Sequence, residues 1–229
     1  MKISIHQPNY FPYPGFFHKL FLSDILVLYD DVQFESDITN KNKIIKSSGS
    51  WERISVPVKK NQTHKKIMDI EINNELSWSD DTFCKLYESY NNASFFNDYK
   101  PFLKNIYSKS WDMLLELNLH TIRQLIDWLG IDIQILKASE LNIKGKSTER
   151  LVNICQSLDA DVYVSGIGGK NYLNEKLFSQ KNIKLEYQNY TPHPYEQIHS
   201  TTFVPNLSIL DLLFNMGKKS HNFLKNYSS

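Results

Sequence analysis

Three groups of residues have the types and spacing to do chemistry. The first is His6, Gln7 and Asn9, which follow a β-prone run, together with Asp30, Asp31 and Gln33, which follow another. An imidazole beside a carboxylate is the usual way to hold a general base; the plainer reading is a histidine ending a strand and two aspartates opening a loop. The second is the run Ser165 to Tyr172, SGIGGKNY, with Gly166, Gly168, Gly169 and Lys170. Glycines there let backbone N–H groups converge on a phosphate, a carboxylate or a developing oxyanion, and Lys170 adds charge. The run lacks the spacing of a Walker loop and of the full dinucleotide fingerprint. Tight packing of a strand on a helix explains it equally well. The third is His193, Tyr195, Gln197 and His199, in a segment with three prolines. They suit a second acid–base group or a substrate lid, or else a surface loop pinned by aromatics. No metal site is expected: there is no Cys-x-x-Cys pair, and His120 is read as a packing or surface histidine. No Gly-x-Ser-x-Gly elbow is present.

These groups need elements to position them. Ile3 to Ile5 reads as a strand, and Pro8, Pro12 and Pro14 force a loop after it. Phe16, Phe17, Leu20, Phe21 and Leu22 follow at helical spacing, with His18 and Lys19 on the other side. The apolar run Ile25 to Tyr29 reads as a strand covered on both faces. His6 and Asp31 then lie at the carboxyl ends of neighbouring strands, where open α/β sheets bind ligands. Residues 35–50 read as a polar loop, Trp51 to Val58 as an edge strand carrying Pro57, Lys59 to Lys66 as a solvated turn, and Ile67 to Ile72 as another strand. Helices are expected over Trp78 to Tyr90, Ser94 to Tyr107 and Asp112 to Leu129, the last stopped by Gly130. A strand at Ile131 to Leu136 and a loop at Ala138 to Lys146 precede a helix at Thr148 to Leu158. A strand at Asp161 to Ser165, a helix at Tyr172 to Gln180 and a strand at Ile183 to Tyr187 make a βαβ unit, which builds parallel sheet. An irregular stretch over 189–206, a helix at Leu207 to Met216 ended by Gly217, and a frayed tail from Lys218 to Ser229 complete the chain. The expected fold is α/β: a mostly parallel sheet flanked by helices, residues 1–229 forming one domain with a helical insertion over 75–129.

The charge balance is even, 26 Lys plus Arg against 25 Asp plus Glu. That argues against duplex nucleic acid as a partner, since phosphate neutralisation dominates such binding. No apolar run reaches the roughly 20 residues that span a bilayer, and none follows Lys2 as a signal segment would. No membrane association and a cytoplasmic location are expected. Cys84 and Cys155 are expected to be free, mostly buried thiols. A homodimer is compatible with all of this but not required by it.

Six blocks of the sequence resemble the WbqC-like family of bacterial proteins, in that family's order: IHQPNYFPYPGFFHKL, DDVQF, WERISVPV, DADVYVSGIGGKNYL, YTPHPYEQ and FVPNLSILDLLFNMG. Members occur with genes for O-antigen (lipopolysaccharide) and other surface glycans, and transfer of glycine onto a sugar has been proposed for them. The resemblance therefore implies a transferase of surface-polysaccharide biosynthesis. It would place an aminoacyl or related acyl group on the amine of a nucleotide-linked amino sugar, drawing on ATP or another activated donor. Under that reading His6, held by Asp31, is the base, with His193 as a second catalytic group. Gln7, Asn9, Tyr10, Asp30, Gln33, Asn40, Asn42, Tyr172, Tyr195 and Gln197 are substrate contacts, and Ser165 with the backbone of Gly166 to Lys170 offers donors to a phosphate or oxyanion. One departure is Asn40-Lys41-Asn42, where the family has Asn-Arg-Asn; Lys cannot grip an anion bidentately as Arg does. The alternatives are a non-catalytic sugar-nucleotide binding protein and an ATP-dependent amino acid–sugar ligase. The opening is also faintly similar to the nucleotidylyltransferase fold of pantothenate synthetases. Tyr13-Pro14-Gly15-Phe16 would stand at its His-x-Gly-His loop without either histidine, which argues against the same use of ATP.

Overall fold

The structure is a computed structural model and describes residues 1–226. Five strands form one parallel sheet in the order β5-β2-β1-β6-β7: β1 is Lys2–His6, β2 Ile25–Leu28, β5 Gln134–Lys137, β6 Val162–Ser165 and β7 Lys184–Tyr187. The chain builds outward from β1 to β2 and β5, then returns across β1 to lay down β6 and β7. The reversal lies between β1 and β6, the position at which open α/β sheets leave a crevice at their carboxyl ends. Ile3 pairs with Ile25 on one side and with Tyr163 on the other, so β1 is the central strand.

Alternation along β2 explains the layers. Leu26 and Leu28 enter a large apolar cluster with Phe16, Phe17, Leu20 and the helices of the middle of the chain, whereas Ile25 and Val27 enter a second cluster with Leu151, Ile154, Tyr163 and Phe178. Helix α1, Pro14–Phe21, begins with proline at its first position, where no N–H is missed. Between β2 and β5 lie the short helix α2 (Ser36–Thr39), the antiparallel hairpin β3 (Lys41–Ile45) with β4 (Trp51–Ser55), and helices α3 (Trp78–Tyr90), α4 (Phe96–Tyr107) and α5 (Leu114–Trp128). Helices α6 (Ala138–Leu141), α7 (Ser147–Ser157) and α8 (Glu175–Ser179) accompany the sheet's second half, and α9 (Ile209–Met216) and α10 (Lys219–Lys225) close the chain.

Several expectations need correction. His18 and Lys19 do not face water: α1 is enclosed on every side, leaving them 2% and 4% exposed. Residues 41–45 are a strand, not a loop, because pairing with β4 satisfies their backbone and Ile44, Ile45 and Ile54 bury against the core. Residues 67–72 do not form a strand; Ile67–Asp69 is a 3-10 turn, and only single bridges join Glu71 and Ile72 to other segments. Residues 138–141 turn helical because Asp30 receives the Ser139 N–H and hydroxyl at the first turn. The helix expected over Tyr172 to Gln180 is shorter, Glu175–Ser179, and a 3-10 turn, Ile167–Asn171, precedes it. The tail is not frayed over 219–225, since α10 packs its His221 ring 5.2 Å from Phe21 of α1; residues 227–229 lie outside the described residues. Both cysteines are free, but Cys84 is exposed and only Cys155 is buried.

Candidate functional site

His6 ends β1 and stands where two cavities meet. Its Nδ1 lies 2.9 Å from the Gln7 carbonyl oxygen. That contact places the ring proton on Nδ1 and leaves the Nε2 lone pair available. Phe16 of α1 packs edge-on against the ring at 4.9 Å. Burial, then the positive charge of Lys19, lowers the His6 pKa to about 3, so the imidazole is neutral at physiological pH. Lys19 follows Phe16 by one turn of α1 and is itself brought down to about 7 by burial. Its ammonium makes no hydrogen bond or ion pair among the described residues.

The first cavity, about 560 Å³, opens over the sheet's carboxyl ends. It is lined by Ile5, His6, Gln7, Tyr29, Val32, Glu35, Ser147, Leu151, Tyr163 and Tyr172. Three tyrosines give it flat apolar walls with polar tips. Behind Tyr29, the Arg150 guanidinium stacks 4.9 Å from the ring centre and pairs with Asp31. Tyr163 is backed by a parallel Phe178 ring at 5.2 Å. The second cavity, about 480 Å³, lies under the hairpin. His6, Asn9, Tyr13, Asp37, Lys41, Asn42, Lys43, Arg53 and Asn206 line it. Here the character is cationic: three positive side chains face one carboxylate, Asp37, which binds Lys41 at 3.1 Å. Gly15 is required beside this cavity, because a Cβ there would sit 2.3 Å from the Tyr13 ring and 2.7 Å from Tyr190.

The model of the WbqC-like protein family matches residues 7–223. The chain belongs to the WbqC-like protein family. It is 32% identical to the uncharacterized protein Rv1507c of Mycobacterium tuberculosis, over 98% of this chain and 97% of that protein. No solved structure matches it. Among the described residues, no helix is long and apolar enough to cross a membrane, and no three His, Cys, Asp or Glu side chains gather in a metal-binding arrangement.

For a WbqC-like protein the opening segment proves the most informative part of the sequence. His6, Gln7, Asn9, Asn42 and Tyr172 all line the two cavities. Other expected site residues have different work. Asp31 does not hold His6: its carboxylate is taken by Arg150, and the His6 ring is oriented by a backbone carbonyl instead. Asp30 is buried and accepts from Ser139 at 2.6 and 2.9 Å, a structural role. Tyr10 is a core residue with its hydroxyl against that of Tyr107. Gln33 is exposed and donates to the Thr63 carbonyl. Asn40 is buried and donates to the Val56 carbonyl at 2.7 Å, fixing the hairpin.

The glycine-rich turn is a packing device more than a cradle. Gly169 lies so close that an added Cβ would fall 2.2 Å from Ser165 Oγ. The Gly169 N–H is spent on the Gly166 carbonyl. Ser165 donates to that same carbonyl. Gly168 has open space around it, and Lys170 turns to the Tyr187 ring at 5.2 Å. In the late segment His193 is exposed and lines neither cavity. Tyr195 and Gln197 donate to the buried Asp211 carboxylate at 2.7 and 2.8 Å, anchoring the loop away from His6. Sequence reasoning missed Lys19, Tyr13, Tyr29, Tyr163, Lys43 and Arg53. Tyr29 was within reach, since it directly follows β2 and strand ends carry ligands. The others needed the fold.

Proposed function

We propose that this WbqC-like protein transfers an acyl group, glycyl in the reading its family suggests, to the amine of a nucleotide-linked amino sugar in surface-polysaccharide assembly. One observation carries the reading: His6 is the shared wall of two cavities of unlike character, so two different substrates can meet at one nitrogen. The sugar amine attacks the carbonyl carbon of an activated donor. A C–N bond forms, the bond from that carbon to the donor's leaving group breaks, and the leaving group departs with the electron pair.

The proton lost by the attacking amine needs an acceptor. His6 Nε2 faces the reaction as a neutral lone pair but holds a proton weakly, with a pKa near 3. Lys19, at about 7, has the value a general base needs near neutral pH. The charge of Lys19 is one of the causes that depress His6, so the two groups lie within electrostatic reach. His6 is therefore the contact and Lys19 the store.

The test is a mass-spectrometry screen. Nucleotide-linked 3-amino and 4-amino sugars are incubated with glycine plus ATP, or with a charged glycyl donor. A mass gain of one glycyl unit is expected, and a folded His6→Ala protein with full activity would sink the role of His6. The weak basicity of His6 favours one other reading, a non-catalytic sugar-nucleotide binding protein of the same pathway. Thermal stabilisation by the sugar nucleotide with no new mass under any donor would select it.

A further inference from the structure

We propose that the hairpin cavity is a diphosphate site, and that it holds the pyrophosphate bridge of the nucleotide-linked substrate. The hairpin register gathers the charge. Lys43 of β3 stands directly opposite Arg53 of β4, and Lys41 opposite Ser55. Opposite residues in an antiparallel pair share a face, and so do residues two apart along a strand. Three cations therefore crowd one face of a two-stranded ribbon. Like charges placed directly opposite each other weaken a hairpin. The one negative side chain in the cavity, Asp37, is already engaged by Lys41, and Glu52 lies on the hairpin's other face beside Lys85.

The cations are also held in place. Trp51, 46% exposed, keeps the Lys43 ammonium 4.5 Å and the Arg53 guanidinium 5.9 Å from its ring centre. A ring face that attracts two positive groups restricts where they can go, and both of these groups line the cavity. The Asn42 amide fixes the floor by donating to the Tyr10 carbonyl at 3.2 Å and accepting from the Lys43 N–H at 2.8 Å. The ligand that fits this cavity carries at least two negative charges and several acceptor oxygens. A diphosphate meets both needs, with His6 at the far wall toward the attached sugar. The identity of the bridged substrate rests on the transferase reading; the anion site itself does not.

Calorimetric titration of the intact protein with inorganic pyrophosphate and with uridine diphosphate tests it. Both are expected to bind, with affinity falling as salt rises. Lys43→Met and Arg53→Met should each cost about tenfold in affinity, while thermal stability holds or increases because the repulsion is relieved. Lys41→Arg should tighten binding, and Lys85→Met should change nothing. Equal pyrophosphate affinity in the Lys43→Met/Arg53→Met protein, or no binding by the parent, overturns the site. Pyrophosphate binding that these substitutions abolish, in a protein that transfers nothing to any sugar nucleotide, keeps the site and removes the transferase.

Discussion

Asp211 and Lys19 are both buried charges, and their surroundings differ in kind. Asp211 of α9 receives hydrogen bonds from Tyr90 at 2.9 Å, Tyr195 at 2.7 Å and Gln197 at 2.8 Å. Burial still raises its pKa, against the pull of those donors. Lys19 is almost as buried, and its ammonium has no acceptor among the described residues; burial alone lowers its pKa, and its charge in turn helps keep His6 neutral. A buried charge with a full complement of partners fixes a fold. One left bare behind a cavity-lining residue, as Lys19 is behind His6, destabilises the fold, and perturbed buried groups of that kind cluster at working sites.

The comparison is sharpest where each group is removed. Asp211→Ala leaves two hydroxyls and an amide without their acceptor and is expected to cost about 3–5 kcal/mol, read as a fall in the urea midpoint. Lys19→Met should move stability the other way. The folded pKa is about 7 against an ordinary 10.5. Between those values the unfolded chain binds a proton that the folded chain does not, so stability rises with pH across that window and the penalty is complete below pH 7. The methionine variant should gain roughly 2–4 kcal/mol at pH 6, less at pH 10, and show a flatter profile. A variant no more stable at pH 6 than its parent would erase the contrast. Transfer activity of the parent should climb through pH 7, and Lys19→Met should lose both that rise and most of the rate. Gly15→Ala forces Tyr13 or Tyr190 aside and is expected to cost roughly 1–3 kcal/mol, with a raised KM for the sugar nucleotide. The mildest change is Tyr195→Phe, which removes one of three donors to Asp211. A loss of about 1 kcal/mol is expected, together with faster proteolysis within 189–206.

Much of this was readable in the sequence, and the reasons for the remainder are physical. β2 announces itself because four consecutive apolar residues are buried on both faces, and three of the intervening helices show clear periodicity. The hairpin does not, since KNKII holds lysines and an asparagine whose strand geometry comes from pairing with residues 51–55. Lys19 reads as lying opposite the apolar face because amphipathic spacing is the only local signal α1 offers. The cover over its neighbour His18 comes from a distant part of the chain, Gln188. The Asp31–Arg150 pair joins residues 119 positions apart. No local pattern could reveal that Asp31 was already committed when His6 was looking for a partner.

The register that makes β1 central has a consequence for how the molecule comes into being. Ile3 meets Ile25 early but meets Tyr163 only across a separation of 160 positions. Contacts of such separation form slowly, because the chain must be closed over its whole length before they reward it. During synthesis, one edge of β1 therefore waits, open, until most of the polypeptide has left the ribosome. A bare strand edge is a template for wrong pairing. The cleft at His6 is thus among the last features to mature, and a chain halted before β6 is a candidate for chaperones and lacks the walls that Tyr163 and Tyr172 supply.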